Sequence, residues 1–512
     1  MTSESTKSNG TRIATNTITL FIRMFAIMVI NLYAVRLVFQ ILGQQDYGVF
    51  NAVAGIVLSG SFITSTLAVA VQRYYSFAIG QHDTSRVKSI YSSSINIAIV
   101  LSIILIILFE TIGLWFLHHK IVFPPNRCWA VQVIYQFSLF TFIIGILQIP
   151  FQAAIFAEEN MRVYAIISFL ECFGRLLVTI SLFHIPFDHL SIYGIGLFII
   201  ALGVFFLYSI FAYRHYDYCR YSWVHRFTLY KELTGFAVWT MFGTIAGVFM
   251  IQGHTIIINM FFGPLINAAF SIANQIYNAF NALTNSIVLA FRPSMVKAYA
   301  DGDYLFLNKA FSYGNKFIYY SMVGIALPMI FEINTILNIW LGKNVSPDII
   351  IFSKLFIVYS IIIALHNPIT ILMQSSGTVK FYYSKVETFT ILSVPVTYLL
   401  FKLHFPSWSV FASMITMSLL AHAVRIWCAK KKIKCFQLKE YFMQFLFPAI
   451  MITGFIIFTG WEFHTHIQHT YLRLAISFIV IPIITILLST KFGMSKDERK
   501  VILNIFKLKM HK

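Results

Sequence analysis

The sequence predicts an all-α, polytopic membrane protein of about fourteen transmembrane helices. Three observations predict it. Hydrophobic residues make up 58% of the 512 and charged residues only 11%, under half the charge of an ordinary soluble domain. Apolar stretches of about 20 residues, the length that crosses a bilayer as a helix, recur along the whole chain. The basic residues fall mostly on one side of those stretches. A chain this apolar uses lipid as its solvent, where every backbone polar group must be satisfied internally.

Candidate spans run near 16–40, 48–70, 89–117, 129–150, 162–183, 190–213, 233–261, 266–291, 316–341, 350–373, 384–403, 407–428, 441–460 and 471–490. An even count puts both termini on one side. With that side cytoplasmic, 29 of the 38 Lys and Arg lie on it. Six lie opposite: Lys120, Arg127, Lys343, Lys354, Lys402 and Arg473. Arg23, Arg36 and Arg175 fall inside spans. This positive-inside asymmetry places both termini in the cytoplasm. The net charge of +19 is then mostly topology, not a nucleic-acid signal. The basic stretches 429–440 and 491–512 are expected near anionic headgroups. In the tail, Val501, Ile502, Ile505 and Phe506 have helical spacing, which fits a short interfacial helix as well as a solvated tail. The polar stretch Met1–Asn16 does not resemble a cleaved signal peptide.

A weak internal repeat appears at an offset of 220 residues, pairing Gly43 with Gly263, Phe50 with Phe270, Thr64 with Thr284, Ala70 with Ala290, Ala78 with Ala298 and Asp83 with Asp303. Both halves run in the same topology, so the repeat is parallel, with its pseudo-two-fold axis along the membrane normal. It divides the chain into an N-lobe at 1–213, a basic linker at 214–232 and a C-lobe at 233–428. The loop 429–440, a final pair of spans at 441–490 and the tail 491–512 lie outside it.

Polar residues inside spans are costly and point to function. Arg23 shares a helix face with Asn16 and Thr19. It reads as a cavity-facing anion contact or as an arginine snorkelling to the headgroups. Arg36 lies near the outer end of the same span and is expected to pack there. Glu171 and Arg175 stand at i and i+4 with the acid first, the favourable order. The pair is either a self-neutralising structural unit or a site for ion or proton coupling. His254 and His366 read as packing residues, while Asn367 and Pro368 break span 10. Asn267, Asn274, Asn278, Asn281 and Asn285 recur on one helical face, which must meet a wet cavity or another helix and is the best sequence signal for a solvated pathway in the second half. The five cysteines are scattered and make neither a metal site nor a disulfide framework. There is no hydrolase, metalloprotease or nucleotide-binding motif, so no catalytic residue, cofactor or metal is assigned. Energy would come from a proton or sodium gradient or from the cargo's own gradient.

Several stretches resemble the O-antigen and polysaccharide repeat-unit flippases, the Wzx or RfbX group of the MATE-like multidrug/oligosaccharidyl-lipid/polysaccharide exporter superfamily. They are RMFAIMVINLYAVRLVFQILGQQDYGVFNAVAG from Arg23, QRYYSFAIGQHD at 72–83, and IPFQAAIFAEENMRVYAIISFLE with Pro150, Glu159, Met161 and Tyr164. IANQIYNAFNAL, RPSMVKAYADGD, IWLG at 339–342 and QSSGTVKFYY at 374–383 follow in order. The resemblance implies a MATE-like fold, with two six-helix lobes around a central cavity, in the bacterial inner membrane. It implies export of a polyprenyl-diphosphate-linked oligosaccharide (an O-antigen of lipopolysaccharide, capsule or exopolysaccharide unit) to the periplasmic leaflet. Arg23, Arg73 and Lys297 become substrate contacts by that resemblance. The amides Asn274, Asn278 and Asn281 join them from the residue pattern. Partners would be the lipid-linked oligosaccharide, membrane lipids, a polysaccharide polymerase and glycosyltransferases, with no nucleic acid. Arg23 is paired by the repeat with Gly243, so the second lobe supplies no matching cation there. The alternatives are a MATE-type multidrug/cation antiporter, which would want an acid in span 1, and a membrane polymerase or acyltransferase, which would want a long outer loop.

Overall fold

In a computed structural model of the chain, every regular element among the described residues is a helix. Described are residues 2–81, 83–158, 160–223, 227–300, 302–342, 345–376, 378–433, 436–495 and 498–499. The side chains of residues 2–26, 231–243 and 289–294, of Lys297 and of a few other helical positions lie outside that description. So do Glu159 and the expected tail helix.

The helices are α1 (Thr2–Leu58), α2 (Ser61–Gly80), α3 (Thr84–Lys120), α4 (Pro125–Ala157), α5 (Met161–His184) and α6 (His189–His215). There follow α7 (Phe227–Ala300), α8 (Tyr304–Leu341), α9 (Pro347–Ser375), α10 (Val379–Lys402), α11 (Ser409–Lys432), α12 (Leu438–His466) and α13 (Thr470–Gly493). All fourteen predicted stretches are helical over nearly their whole length. By length and composition, ten segments among the described residues can cross a membrane. The bent pair Val29–Leu58 and Ser61–Tyr75 adds an eleventh. The count of fourteen is not reached because the bent pair and Thr244–Asn285 each carry two predicted spans counted once, and because Lys385 and Glu387 dilute α10. The helices turn apolar surface outward. The α6 span has a mean hydropathy of 2.5, yet only 17% of that window is buried, so most of its apolar surface faces a non-aqueous solvent.

The two longest helices are each broken by a glycine. Gly43 in α1 has φ 72° and ψ 170°, and Gly263 in α7 has φ 77° and ψ −173°. That region is essentially closed to residues with a Cβ. The two corners stand 220 residues apart, at the offset of the sequence repeat. The repeat recurs at the next helix starts. Asp83 caps α3 by accepting from Arg86 N at 2.9 Å, and Asp303 caps α8 by accepting from Phe306 N at 2.9 Å. The Asp83 and Asp303 amides donate back to Ala78 and Ala298 at 3.2 and 3.0 Å. The repeat is therefore a repeat of local structure, held at positions where the backbone makes demands.

The chain packs as two compact units, Met1–Ala268 and Ala269–Lys512. In the first, the two glycine corners meet. Gln44 donates to the Leu265 carbonyl and Asn267 to the Gly48 carbonyl, both at 3.1 Å. A Cβ on Gly48 would fall 1.8 Å from the Pro264 carbonyl oxygen, so glycine is what permits this approach. Asn267 is thus a buried structural amide, not a wall of a wet pathway. Arg127, at the start of α4, grips Asp46 beyond the α1 corner and also Asp188, at 2.7 Å. Asp188 in turn caps α6 through Ser191 N at 2.9 Å.

In the second unit, a core from Leu327, Ile369, Tyr382, Cys428, Ile452 and Ile481 joins α8 to α13. Two ion pairs pin the terminal helices to α8. Glu332, 1% exposed, accepts from Arg473 Nε at 2.7 Å and Nη2 at 3.2 Å. Lys316 pairs with Glu498 at 2.7 Å, both nearly excluded from solvent. Burial pushes the Glu498 carboxyl up, but hydrogen bonds from Lys316, Ser495 N and Ser312 outweigh it and hold it below its ordinary value of 4.5.

Two tests follow from this packing. Gly48→Ala is expected to cost about 1–3 kcal/mol by overpacking, read as a lowered unfolding midpoint of the purified protein. Gly203→Ala, which meets nothing within 4 Å, is expected to be neutral or stabilising. Because the Glu498 carboxyl is depressed, the stability it contributes is present above 4.5 and is lost as pH falls through the lowered value. Hydrogen exchange at residues 494–499 should rise over that acid window, and Glu498→Gln should abolish the pH dependence.

Candidate functional site

Within the first unit, α5 lies against α1, and a polar cavity of about 210 Å³ opens between them. Ile27 and Asn31 line it from α1, and Ser168, Glu171, Cys172 and Arg175 from α5. The α5 residues fall at intervals of three, one and three, which gathers them on one face of that helix. Arg175 Nη2 donates to Glu171 Oε1 at 2.6 Å, as the i, i+4 spacing predicts. Their side chains remain 50% and 33% exposed. The pair therefore presents its polar atoms to the cavity. Cys172 points its thiol at Asn31 Oδ1, 3.4 Å away.

A guanidinium has five N–H donors in a planar fork. The contact with Glu171 engages one nitrogen, so the fork retains donors for a second oxyanion. The carboxylate is held by a single oxygen and retains acceptor capacity. The arrangement can thus take a phosphate-like anion on the arginine or a proton on the acid.

The other predicted residues are placed as follows. Arg23 belongs to α1, four residues or one turn before Ile27, and its side chain lies outside the described residues, as do those of Asn16 and Thr19. Arg73 is exposed on α2. Lys297 belongs to α7, its side chain outside the description. Asn278 and Asn285 are exposed on α7, while Asn274 and Asn281 are half-buried. Asn274 Oδ1 is buried without a hydrogen-bond partner among the described residues. Asn31, Ser168 and Cys172 were not singled out by sequence reasoning. Asn31 was detectable as the amide two turns beyond Arg23 on the same span.

A second polar group was also missed. Arg425, within the predicted span 407–428 yet counted among the cytoplasmic charges, is 8% exposed inside α11. Its Nε donates to the Tyr382 hydroxyl of α10 at 3.0 Å, and Tyr382 lies 2.6 Å from Thr370 of α9. His366 and His422 stack beside it with ring centres 5.2 Å apart. The signal was present in the sequence. Ser418, His422 and Arg425 are spaced four and three apart, one face of an apolar helix.

No protein-family profile matches the sequence, and no curated protein matches it. Solved structures do match. An inward-facing MATE-family multidrug resistance transporter of the MOP superfamily aligns with a TM-score of 0.67 at 12% identity, over 81% of this chain and 98% of its own. The lipid II flippase MurJ, in an inward closed conformation, aligns at 0.66 and 15% identity, over 93% of this chain and 98% of its own. A MOP-superfamily transporter from Pyrococcus furiosus, described as having a binding pocket of reversed polarity that suggests a different function, aligns at 0.58 and 13% identity, over 82% of this chain and 95% of its own. At these identities the likeness shows the fold, which is that of the MATE-like transporters.

The Glu171–Arg175 pair yields a stability test. Either charge alone at this depth is costly, whereas the pair is worth little for its attraction alone. Glu171→Gln and Arg175→Gln should therefore each lower the unfolding midpoint more than the double variant does.

Proposed function

We propose that the protein is a flippase that moves a polyprenyl-diphosphate-linked oligosaccharide from the cytoplasmic to the periplasmic leaflet by alternating access. The cargo would be an O-antigen, capsule or exopolysaccharide repeat unit. The observation that carries this reading is the polarity of the α1–α5 cavity. Arg175 is half exposed there with donors in reserve, and the α1 span contributes an amide and no acid. A diphosphate suits a planar guanidinium, which binds it through paired charge-assisted hydrogen bonds. Arg23 is the second cation of this reading, and its helix borders the same cavity.

The pair also suggests how transport is coupled. An incoming phosphate and the Glu171 carboxylate repel each other across the same guanidinium. Protonation of Glu171 releases Arg175 to the phosphate, and loss of the proton draws it back. In this scheme the sugars travel along Asn274, Asn278 and Asn281, with Arg73 and Lys297 at the cytoplasmic mouth. The prenyl tail stays in lipid. The lobes 1–213 and 233–428 rock about the cargo. The glycosyltransferases that assemble the unit and the polymerase that consumes it are the expected partners.

The likeness to a lipid II flippase supports a lipid-linked cargo. The Pyrococcus furiosus protein supports using pocket polarity to separate functions within this fold. The Glu171 carboxylate favours one rival, a MATE-type multidrug/cation antiporter, since an acid could hold a cationic drug.

Complementation of a host lacking its repeat-unit flippase separates the two. Arg175→Ala and Arg23→Ala at normal protein levels should each lower glycan export by roughly 10- to 100-fold, the loss of a charge-assisted contact of ~1.5–3 kcal/mol. Full export by both variants would end the flippase reading. Resistance to cationic drugs that disappears with Glu171→Gln would establish the antiporter instead.

A further inference from the structure

The start of α10 and the end of α11 build a cationic cluster that the transport cycle above does not use. The rings of Phe381 and Trp427 lie 5.8 Å apart at a tilt of 32°. Three ammonium groups gather on them. Lys385 Nζ is 5.5 Å from the Phe381 ring and 5.8 Å from the Trp427 ring. Lys431 Nζ is 5.7 Å from Phe381 and 5.1 Å from Trp427. Lys432 Nζ is 4.9 Å from Phe381. All three lysines are exposed, as is Trp427, and none forms an ion pair among the described residues.

The rings attract each ammonium by about 0.5–1 kcal/mol at an exposed site. They do nothing to relieve the repulsion of three like charges held around one ring pair. An anion would relieve it. The cluster stands at the end of the Ser409–Lys432 span, the depth at which tryptophan and lysine meet headgroups. On the positive-inside reading this is the cytoplasmic face, whose leaflet carries the anionic lipid. Free phosphate in water would meet these lysines individually hydrated. A headgroup arrives already concentrated at this depth, with its acyl chains against the apolar flank of α10 and α11.

We infer that Lys385, Lys431 and Lys432, framed by Phe381 and Trp427, form a binding site for the phosphodiester headgroup of an anionic bilayer phospholipid. The lysines hold the phosphate oxygens, and the indole edge sits beside the glycerol backbone. The site fixes the α10–α11 end of the second unit to the cytoplasmic leaflet.

Native mass spectrometry of the full chain, released from micelles containing phosphatidylglycerol or phosphatidylcholine, tests this. The wild type should retain phosphatidylglycerol in preference to phosphatidylcholine. Each lysine near an anionic surface is worth roughly fivefold, so the Lys385→Gln/Lys431→Gln/Lys432→Gln variant should lose on the order of 10²-fold of that preference. The corresponding triple arginine variant, which keeps the charge, should retain it and also controls for folding. A Lys88→Gln/Lys309→Gln/Lys439→Gln variant, neutralised elsewhere on the same side, should change little. Equal retention of the two lipids, or equal losses in the two glutamine variants, would overturn the site. Displacement of the bound lipid by inorganic pyrophosphate would show that a soluble phosphate is the true occupant and would overturn the lipid assignment.

Discussion

Hydrocarbon offers no hydrogen-bond partner, so a backbone amide or a charge carried into it must bring its own. The backbone meets this demand with helices, and the side chains meet it by pairing. Within the predicted spans Glu332 is matched by Arg473 and Glu171 by Arg175, and at the span ends Lys316 is matched by Glu498 and Arg127 by two acids at once. A lone charge at such depth costs several kcal/mol. The pairings are therefore a condition for the helices to stand where they do. They also decide which ends are joined, since the acids of α8 and of the chain's end each hold a neighbour that the apolar surfaces alone would leave free to slide.

The same economy of polar groups explains how much of the fold was legible. The spans could be read because twenty apolar residues have few other uses. The repeat could be read only faintly, and the structure gives the reason. Apolar helix surfaces tolerate exchange of Leu, Ile, Val and Phe, so two halves drift apart along their length. Identity survives where the backbone restricts the choice. Gly43 and Gly263 hold a positive φ, and Asp83 and Asp303 cap helix starts. Two of the six matches at offset 220, the glycine pair and the aspartate pair, are those demands made visible.

Long-range partners could not be read. Glu171 and Arg175 were found together because i, i+4 spacing is written in the chain. Nothing in the sequence ties Arg473 to Glu332, 141 positions away, or Arg127 to Asp46, 81 away. Both arginines counted simply as outer-side charges, and they are also clamps. Arg425 was misplaced for a related reason. It stands a few residues before a lysine run, so a rule based on charge and position counts it among the cytoplasmic charges. Its helical register with Ser418 and His422 turns it into the interior. Charge counting reports topology well and burial poorly.

Exposure then separates the pairs into kinds. Glu332 is shut away completely at its side chain, with Arg473 at 15%, and Lys316 and Glu498 stand at 3% and 7%. Exchange of partners there would strand a charge in a closed space with little access to water, so those pairs serve as structural clamps. Glu171 and Arg175 stand at 33% and 50%, on a cavity that can admit water and ions. Opening that pair strands neither charge if a new partner takes over the contact as the old one is released, and the cavity gives such a partner room to enter. On the function proposed above, a carrier of an anionic cargo would use such a pair, strong enough to place an arginine inside a membrane and weak enough to surrender it. Depth supplies the first property and the cavity supplies the second, which is why the proposed function draws on this pair and not on the better-buried ones.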